Sequence, residues 1–186
     1  HEGCCTLKGV RADDLCPICW VEELGSAPTV VLRCGHGVHY ACMLERLRLR
    51  WQGALISFGF MHCPTCQALV AHPLLDGLVK PYVELQEAVE AKALERLESE
   101  FPQGRGCPEL EDEHSPFYHN KAKYACHRYR YSQCHRCHKP YFAGLRQCQD
   151  AAADEPDQAL DETQLLCYAC TPHAPGTVCA VHGPEF

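Results

Sequence analysis

Apolar positions recur three to five residues apart along "PLLDGLVKPYVELQEAVEAKALERLESEF", residues 73–101: Leu78, Tyr82, Leu85, Val89, Leu94, Leu97 and Phe101. That spacing puts them on one face of a helix, which predicts an amphipathic helix over residues 82–100. Pro81 flanks it on one side and the breaker stretch "PQGRG" on the other. "YACMLERLRLRW" (40–51) predicts a second, shorter helix whose Arg46, Arg48 and Arg50 form a solvated surface. "LISFGF" (55–60) reads as a strand. So does "KYACHRYRY", with Tyr129 and Tyr131 alternating onto one face and Cys126 a small buried apolar group. Beyond residue 149, "QDAAADEPDQALDE" is small and acidic, contains a proline and has no apolar period, so it predicts a mobile loop.

Composition changes this picture sharply. Sixteen cysteines and twelve histidines in 186 residues imply either a disulfide framework or metal sites. Cys and His crowd residues 1–72 and 107–186 and are absent from 73–101. Four C-x2-C pairs (Cys16/Cys19, Cys63/Cys66, Cys134/Cys137, Cys167/Cys170) favour metal, because two intervening residues make a turn that aims both sulfurs at one ion. Metal-bound thiols in turn point to a reducing compartment, the cytoplasm or nucleus. No apolar run reaches membrane-spanning length, so no membrane partner is expected. A net charge of −7 argues against nucleic acid as the main partner, although tyrosines interleave the basic residues between 119 and 142. The expected layout is an N-terminal extension (1–15), a first zinc module (16–72), a helical linker (73–106) and a second zinc module (107–186).

Residues 16 to 66 supply eight ligands in order: Cys16, Cys19, Cys34, His36, His39, Cys42, Cys63 and Cys66. Eight ligands make two tetrahedral sites, and a short chain is tied best when the sites interleave. Cys16, Cys19, His39 and Cys42 then hold one zinc, and Cys34, His36, Cys63 and Cys66 the other. Each ion contributes on the order of 10 kcal/mol of folding free energy that so small a core does not otherwise supply. The order and spacing resemble a RING finger of the histidine-histidine type. A LIM module would need further close pairs after Cys42, and a PHD finger a different fourth and fifth ligand. The resemblance implies a cross-brace fold that docks a ubiquitin-conjugating enzyme on a shallow groove between the zinc loops. Ile18 and Pro64 match the apolar groove positions, though both also suit simple loop filling; Trp51 suits the groove edge or the core. Many RING ligases that activate the enzyme directly place Arg or Lys after the last ligand. Here that residue is Gln67, a neutral amide.

In the second module, Cys134, Cys137, Cys167 and Cys170 have the make-up of one four-cysteine site split by an insertion. Cys179 and His182 form a further ligand pair, to be completed by His173, His135, His138, Cys107 or residues of a longer chain. Five cysteines stay outside these sets: Cys4, Cys5, Cys107, Cys126 and Cys148. Cys148 differs in its neighbours. Lys121, Lys123, Arg128, Arg130, Arg136 and Lys139 precede it with no acid among residues 119–142, and Arg146 lies two residues before it. Positive charge brought close raises the thiolate fraction, and a thiol so placed is suited to accept an acyl group from another thioester.

Taken together, "DDLCPIC", "CGHGVHYAC", "RWQGALISFGFMHCPTC", the helical spacer, "YRYSQCHRCHKPYFAGLRQC" and "LLCYAC…CAVHG" resemble the C-terminal region of the Highwire/Pam/Phr ubiquitin ligases. The resemblance implies a small zinc-stabilised α+β protein: a cross-brace RING finger, a helical linker and a second zinc-binding, tandem-cysteine domain that is only partly present. Two zinc ions are implied in the RING and at least one in the distal module. Ubiquitin is implied to pass from a conjugating enzyme to Cys148, then to a second cysteine beyond the region present here, and then to a threonine or serine hydroxyl of a protein substrate. The alternatives are a conventional RING ligase that forms no thioester of its own, and a non-catalytic zinc-binding adaptor.

Overall fold

A computed structural model describes residues 9–102, 105–146 and 161–172. The chain divides into two compact units, His1–Gln52 with Ser57–Glu84, and Gly53–Ile56 with Leu85–Phe186.

In the first unit, β1 (Thr29–Val31) and β2 (Gly37–His39) form an antiparallel hairpin in the register Thr29↔His39, Val30↔Val38 and Val31↔Gly37. Its turn closes through Gly35 N–H to the Leu32 carbonyl at 2.8 Å, with Gly35 at φ +91°. Gly37 is needed for a different reason. A Cβ there would stand 2.7 Å from Val10 Cγ1 and 2.9 Å from Leu24 Cδ1. Helix α1 (Tyr40–Leu49) follows directly and buries Met43 and Leu47, one turn apart, against Leu32, Val38, Met61 and Val70 of a small core. Trp51, Phe60 and Tyr82 pack ring on ring beside it, with centroids 4.9 to 6.4 Å apart. Trp51, 9% exposed, is therefore core.

The segment expected as a strand over 55–60 forms none. Gly59–Met61 is instead a 3-10 turn. Leu55 and Ile56 belong to the second unit, where Leu55 makes one isolated bridge to Ser132 and Ile56 N–H donates to the Tyr131 carbonyl. Apolar alternation alone does not make a strand when a neighbouring edge is met at only one or two residues.

Helix α2 (Asp76–Glu100) begins six residues before the expected start and contains Pro81. Asp76 explains the early start: its carboxylate accepts from the His72 N–H at 2.9 Å, and the Leu75 and Asp76 N–H groups return to the His72 carbonyl. Pro81 removes only the donor to the exposed Gly77 carbonyl, where water can replace it. The buried face also differs, with Val79 and Ala93 inside where Leu78 and Leu94 were expected. The exposed Glu84 side chain pairs with Lys80 one turn back.

In the second unit, α3 (Pro108–Glu111) and α4 (Lys121–Arg128) precede a hairpin of β3 (Tyr129–Gln133) and β4 (Pro140–Leu145), whose register slips between Arg130 and Tyr131. "KYACHRYRY" is thus helix before it is strand. Asn120 caps the helix by accepting the Lys123 N–H at 2.9 Å, so Cys126 lies on α4 and is exposed rather than buried. Tyr124, Tyr129 and Tyr131 fill the core, Phe142 packs edge-on to Tyr129 and Tyr131, and the Arg96 guanidinium lies 3.7 Å over the Phe142 ring. Among the described residues no helix is long and apolar enough to cross a membrane.

Candidate metal centres and the groove beside them

Three of the C-x2-C pairs share one backbone turn. The N–H four residues after the first cysteine returns to that cysteine's carbonyl: Trp20 to Cys16 at 2.9 Å, Gln67 to Cys63 at 2.9 Å, and His138 to Cys134 at 2.8 Å. Each donor residue is left-handed, at φ +56°, +61° and +58°. Each first cysteine then donates its own N–H across the turn, to the carbonyls of Glu22, Ala68 and Lys139. The turn is closed at both ends, and its two sulfurs face the same side. The fourth pair is built differently. Tyr168–Cys170 is a 3-10 turn, and Thr171 returns to the Cys167 carbonyl with an ordinary φ of −70°.

Among the described residues, these turns bring together three groups able to hold a metal ion: Cys16, Cys19, His39 and Cys42; Cys34, His36, Cys63 and Cys66; and Cys134, Cys137, Cys167 and Cys170. Within each group all ligand atoms lie within 4.8 Å of one another. A tetrahedral ion with metal–sulfur bonds of about 2.3 Å sets sulfurs about 3.8 Å apart. The Cys137 and Cys167 sulfurs are 3.7 Å apart, Cys19 and Cys42 each lie 3.7 Å from His39 Nδ1, and Cys34 lies 3.6 Å from His36 Nδ1. The donor sets fit such an ion. The first two groups alternate along the chain.

Second partners orient the ligands. With its proton on Nε2, His39 donates to the Glu23 carbonyl at 3.0 Å and turns the Nδ1 lone pair to Cys19 and Cys42. In each group one thiol is held down by backbone N–H groups. Val21 and Glu22 lower Cys19 to about 6. Burial works to raise Cys63 and Cys134, but N–H groups outweigh it: those of Cys66 and Thr65 lower Cys63, and those of Cys167, Cys137 and Arg136 hold Cys134 at about 6. Burial, with the nearby Cys16 charge, instead pushes Cys42 up to about 12. In each group the backbone N–H groups thus ease one thiol toward the thiolate form that binds a metal ion.

The other expected ligands stand elsewhere. Cys107 is fully buried, with its Sγ 3.6 Å from Glu109 Oε2, and joins none of the three groups; nor do His135 and His138. Cys4, Cys5, Cys148, His173, Cys179 and His182 lie outside the described residues. The basic residues ahead of Cys148 are partly answered by α2, which sequence-local counting missed. Lys121 pairs with Glu98 at 3.4 Å and Arg128 with Glu100 at 3.2 Å.

Beside the first group lies a groove of about 480 Å³. One wall is Ile18 and Cys19. The other is a single face of α1, Cys42, Glu45, Arg46 and Leu49, spaced three and four residues apart. Leu49 is 57% exposed and Ile18 half-buried, so both present apolar surface to solvent. Phe60 also lines the groove, whereas Pro64 does not. Arg46 is not the solvated residue expected. Its Nε donates to the Phe60 carbonyl at 3.0 Å and its guanidinium NH2 to the Gly59 carbonyl at 2.9 Å. Gln67 is exposed at the left-handed position of its turn.

No protein-family model matches the chain. Over 175 residues, 94% of its length, it is 39% identical to the E3 ubiquitin-protein ligase MYCBP2 of Danio rerio. Over 175 residues, again 94%, it is 38% identical to the E3 ubiquitin-protein ligase highwire of Drosophila melanogaster. The chain spans only 4% and 3% of those much longer relatives.

Proposed function

Because the chain is homologous to a segment of the Highwire/Pam/Phr ubiquitin ligases, we propose that it is a ubiquitin-transfer module. Its RING recruits a loaded conjugating enzyme, and Cys148 takes over the ubiquitin. The observation that carries the reading is the exposed apolar groove of Ile18 and Leu49, set against two alternating four-ligand groups. In this reading the first unit holds two zinc ions in a cross-brace and the second unit at least one, bound by Cys134, Cys137, Cys167 and Cys170. Four protein ligands fill each tetrahedron and leave no open position, so zinc supplies structural closure.

The chain's own residues then divide the work. Ile18 and Leu49 offer apolar contact to a loop of the conjugating enzyme. Gln67 stands where a basic residue would clamp the loaded thioester in directly activating RINGs, and a neutral amide makes a weaker hydrogen bond than a guanidinium. Recruitment without that clamp leaves the thioester available to a second nucleophile. The Cys148 thiolate attacks the carbonyl carbon of ubiquitin's C-terminal thioester. A new thioester forms, and the conjugating enzyme's cysteine departs as thiolate, with no further reactant needed. A threonine or serine hydroxyl of the substrate suits the last step. Its oxygen displaces the sulfur, its proton passes to solvent or a base, and an ester results. Free thiols of this kind persist in the cytoplasm or nucleus.

The test is incubation with a ubiquitin-loaded conjugating enzyme followed by non-reducing electrophoresis. A ubiquitin adduct that reductant removes is expected on the native chain and not on Cys148→Ser. An adduct unchanged in Cys148→Ser overturns the relay. Discharge onto free lysine that survives Cys148→Ser but not Ile18→Ala identifies a conventional RING ligase, and binding without discharge to any nucleophile identifies an adaptor.

A further inference from the structure

The half-buried Arg46 side chain turns its guanidinium onto the protein backbone. Two of its donors reach successive carbonyls, Phe60 at 3.0 Å and Gly59 at 2.9 Å, in the turn Gly59–Met61. The turn's own closing bonds are longer, Met61 N–H to Phe58 at 3.2 Å and His62 N–H to Gly59 at 3.3 Å. A side chain at Gly59 would meet nothing within 4 Å, so the turn is open on that side. Phe60 and Met61 bury their side chains and hold the turn to the core. The backbone above them is held by the guanidinium on Gly59 and Phe60, beside His62 Nδ1 2.8 Å from the Phe58 carbonyl and the Val70 N–H on the Met61 carbonyl at 2.9 Å.

Arg46 and Phe60 both line the groove that also contains Ile18 and Leu49. We propose that Arg46 is a positioning residue: by clasping the Gly59–Met61 turn to α1 it sets the groove's width, and so its fit to the apolar loop of a ubiquitin-conjugating enzyme. This rests on the docking reading above and adds the residue that shapes the site. The planar fork of arginine matches two neighbouring acceptors, whereas a lysine ammonium is a single point on a flexible stem. The buried Phe60 and Met61 keep the fold without the clasp. Losing it therefore shifts the turn rather than unfolding the unit.

The experiment uses the full zinc-loaded chain and one ubiquitin-conjugating enzyme whose binding to the native chain has been measured by calorimetry. Arg46→Ala is expected to weaken binding about tenfold, the loss set by one charge-assisted hydrogen-bond pair. Zinc content should stay at the native level, with amide shift changes centred on residues 59–61. Arg46→Lys keeps the charge but not the fork, and should fail to restore binding. Native affinity in either variant, while Ile18→Ala weakens it, overturns the clasp and leaves the docking reading intact. If Ile18→Ala also binds as the native chain does, the docking reading falls and the clasp with it. Should Arg46→Ala lose zinc, Arg46→Lys decides alone, native affinity there refuting the proposal.

Discussion

The two units use the same cysteine turn but tie it differently. In the first, the ligand groups alternate. The stretch closed by Cys19 and His39 carries Cys34 and His36 of the other group, and the stretch closed by His36 and Cys63 carries His39 and Cys42 of the first. Neither closure can open without loosening its neighbour. In the second unit the Cys137–Cys167 closure carries β4 and no ligand of another described group. Both units bury a ligand cysteine fully, Cys16 and Cys63 in the first and Cys134 in the second, and both have aromatic packing, Trp51, Phe60 and Tyr82 in the first and Tyr124, Tyr129, Tyr131 and Phe142 in the second. The difference therefore lies in the linkage: under the zinc-bound reading proposed above, the two closures of the first unit hold each other, whereas the second unit has a single closure to fasten.

Two substitutions break or sharpen this contrast. Cys63→Ser has the largest expected effect. A structural ion contributes on the order of 10 kcal/mol, comparable with the whole stability of a small domain. Because the closures interleave, removing one ligand should release both ions of the first unit. Metal analysis should show zinc content falling by two, and the amide spectrum should lose the dispersed signals of residues 29–49. Loss of a single ion with that dispersion kept would show the two sites to be independent. Cys137→Ser should cost only one ion and leave the first unit's spectrum unchanged. The ring contacts of Phe142 with Tyr129 and Tyr131 should persist, read as nuclear Overhauser effects. Collapse of those contacts would make the second unit as metal-dependent as the first.

The sequence made the ligand groups legible because metal chemistry acts through spacing: two-residue gaps and the alternating order needed no tertiary information. Helix α1 was legible from its periodicity for the same reason. What escaped was of two kinds, local caps that the apolar pattern does not mark and side chains reaching across sequence distance. Asp76 capping His72 started α2 early, and Asn120 capping Lys123 made a helix where tyrosine alternation suggested strand. Arg46 looked like one of three surface arginines, since nothing local marks the carbonyls thirteen and fourteen residues onward that it binds. The acids that answer Lys121 and Arg128 lie on α2, more than twenty residues back. The β1–β2 hairpin did carry a local signal, the run Thr29–Val31 followed by Gly35 and Gly37, but the ligand pattern over the same residues drew the reading away from it.

The smallest effect concerns one position that both units share. Gln67 and His138 each follow the second cysteine of a C-x2-C pair, both are exposed, and both sit in the left-handed region. A left-handed residue with a Cβ costs about 1–2 kcal/mol, which the closed turn already bears in both places. Gln67→Arg keeps the Cβ and the straight stem, so melting should move by no more than about 0.5 kcal/mol equivalent. What changes is charge. A guanidinium there offers charge-assisted hydrogen bonds, which are stronger than those of an amide by enough for about a tenfold rate gain. In a Cys148→Ser background, single-turnover discharge of a loaded conjugating enzyme onto free lysine should rise by that order in Gln67→Arg. His138→Arg, the same turn position in the other unit, should leave the rate unchanged. Equal rates in the two variants would mean that position 67 has no privileged relation to a docked thioester, and that its neutral amide lends no support to the relay proposed for Cys148.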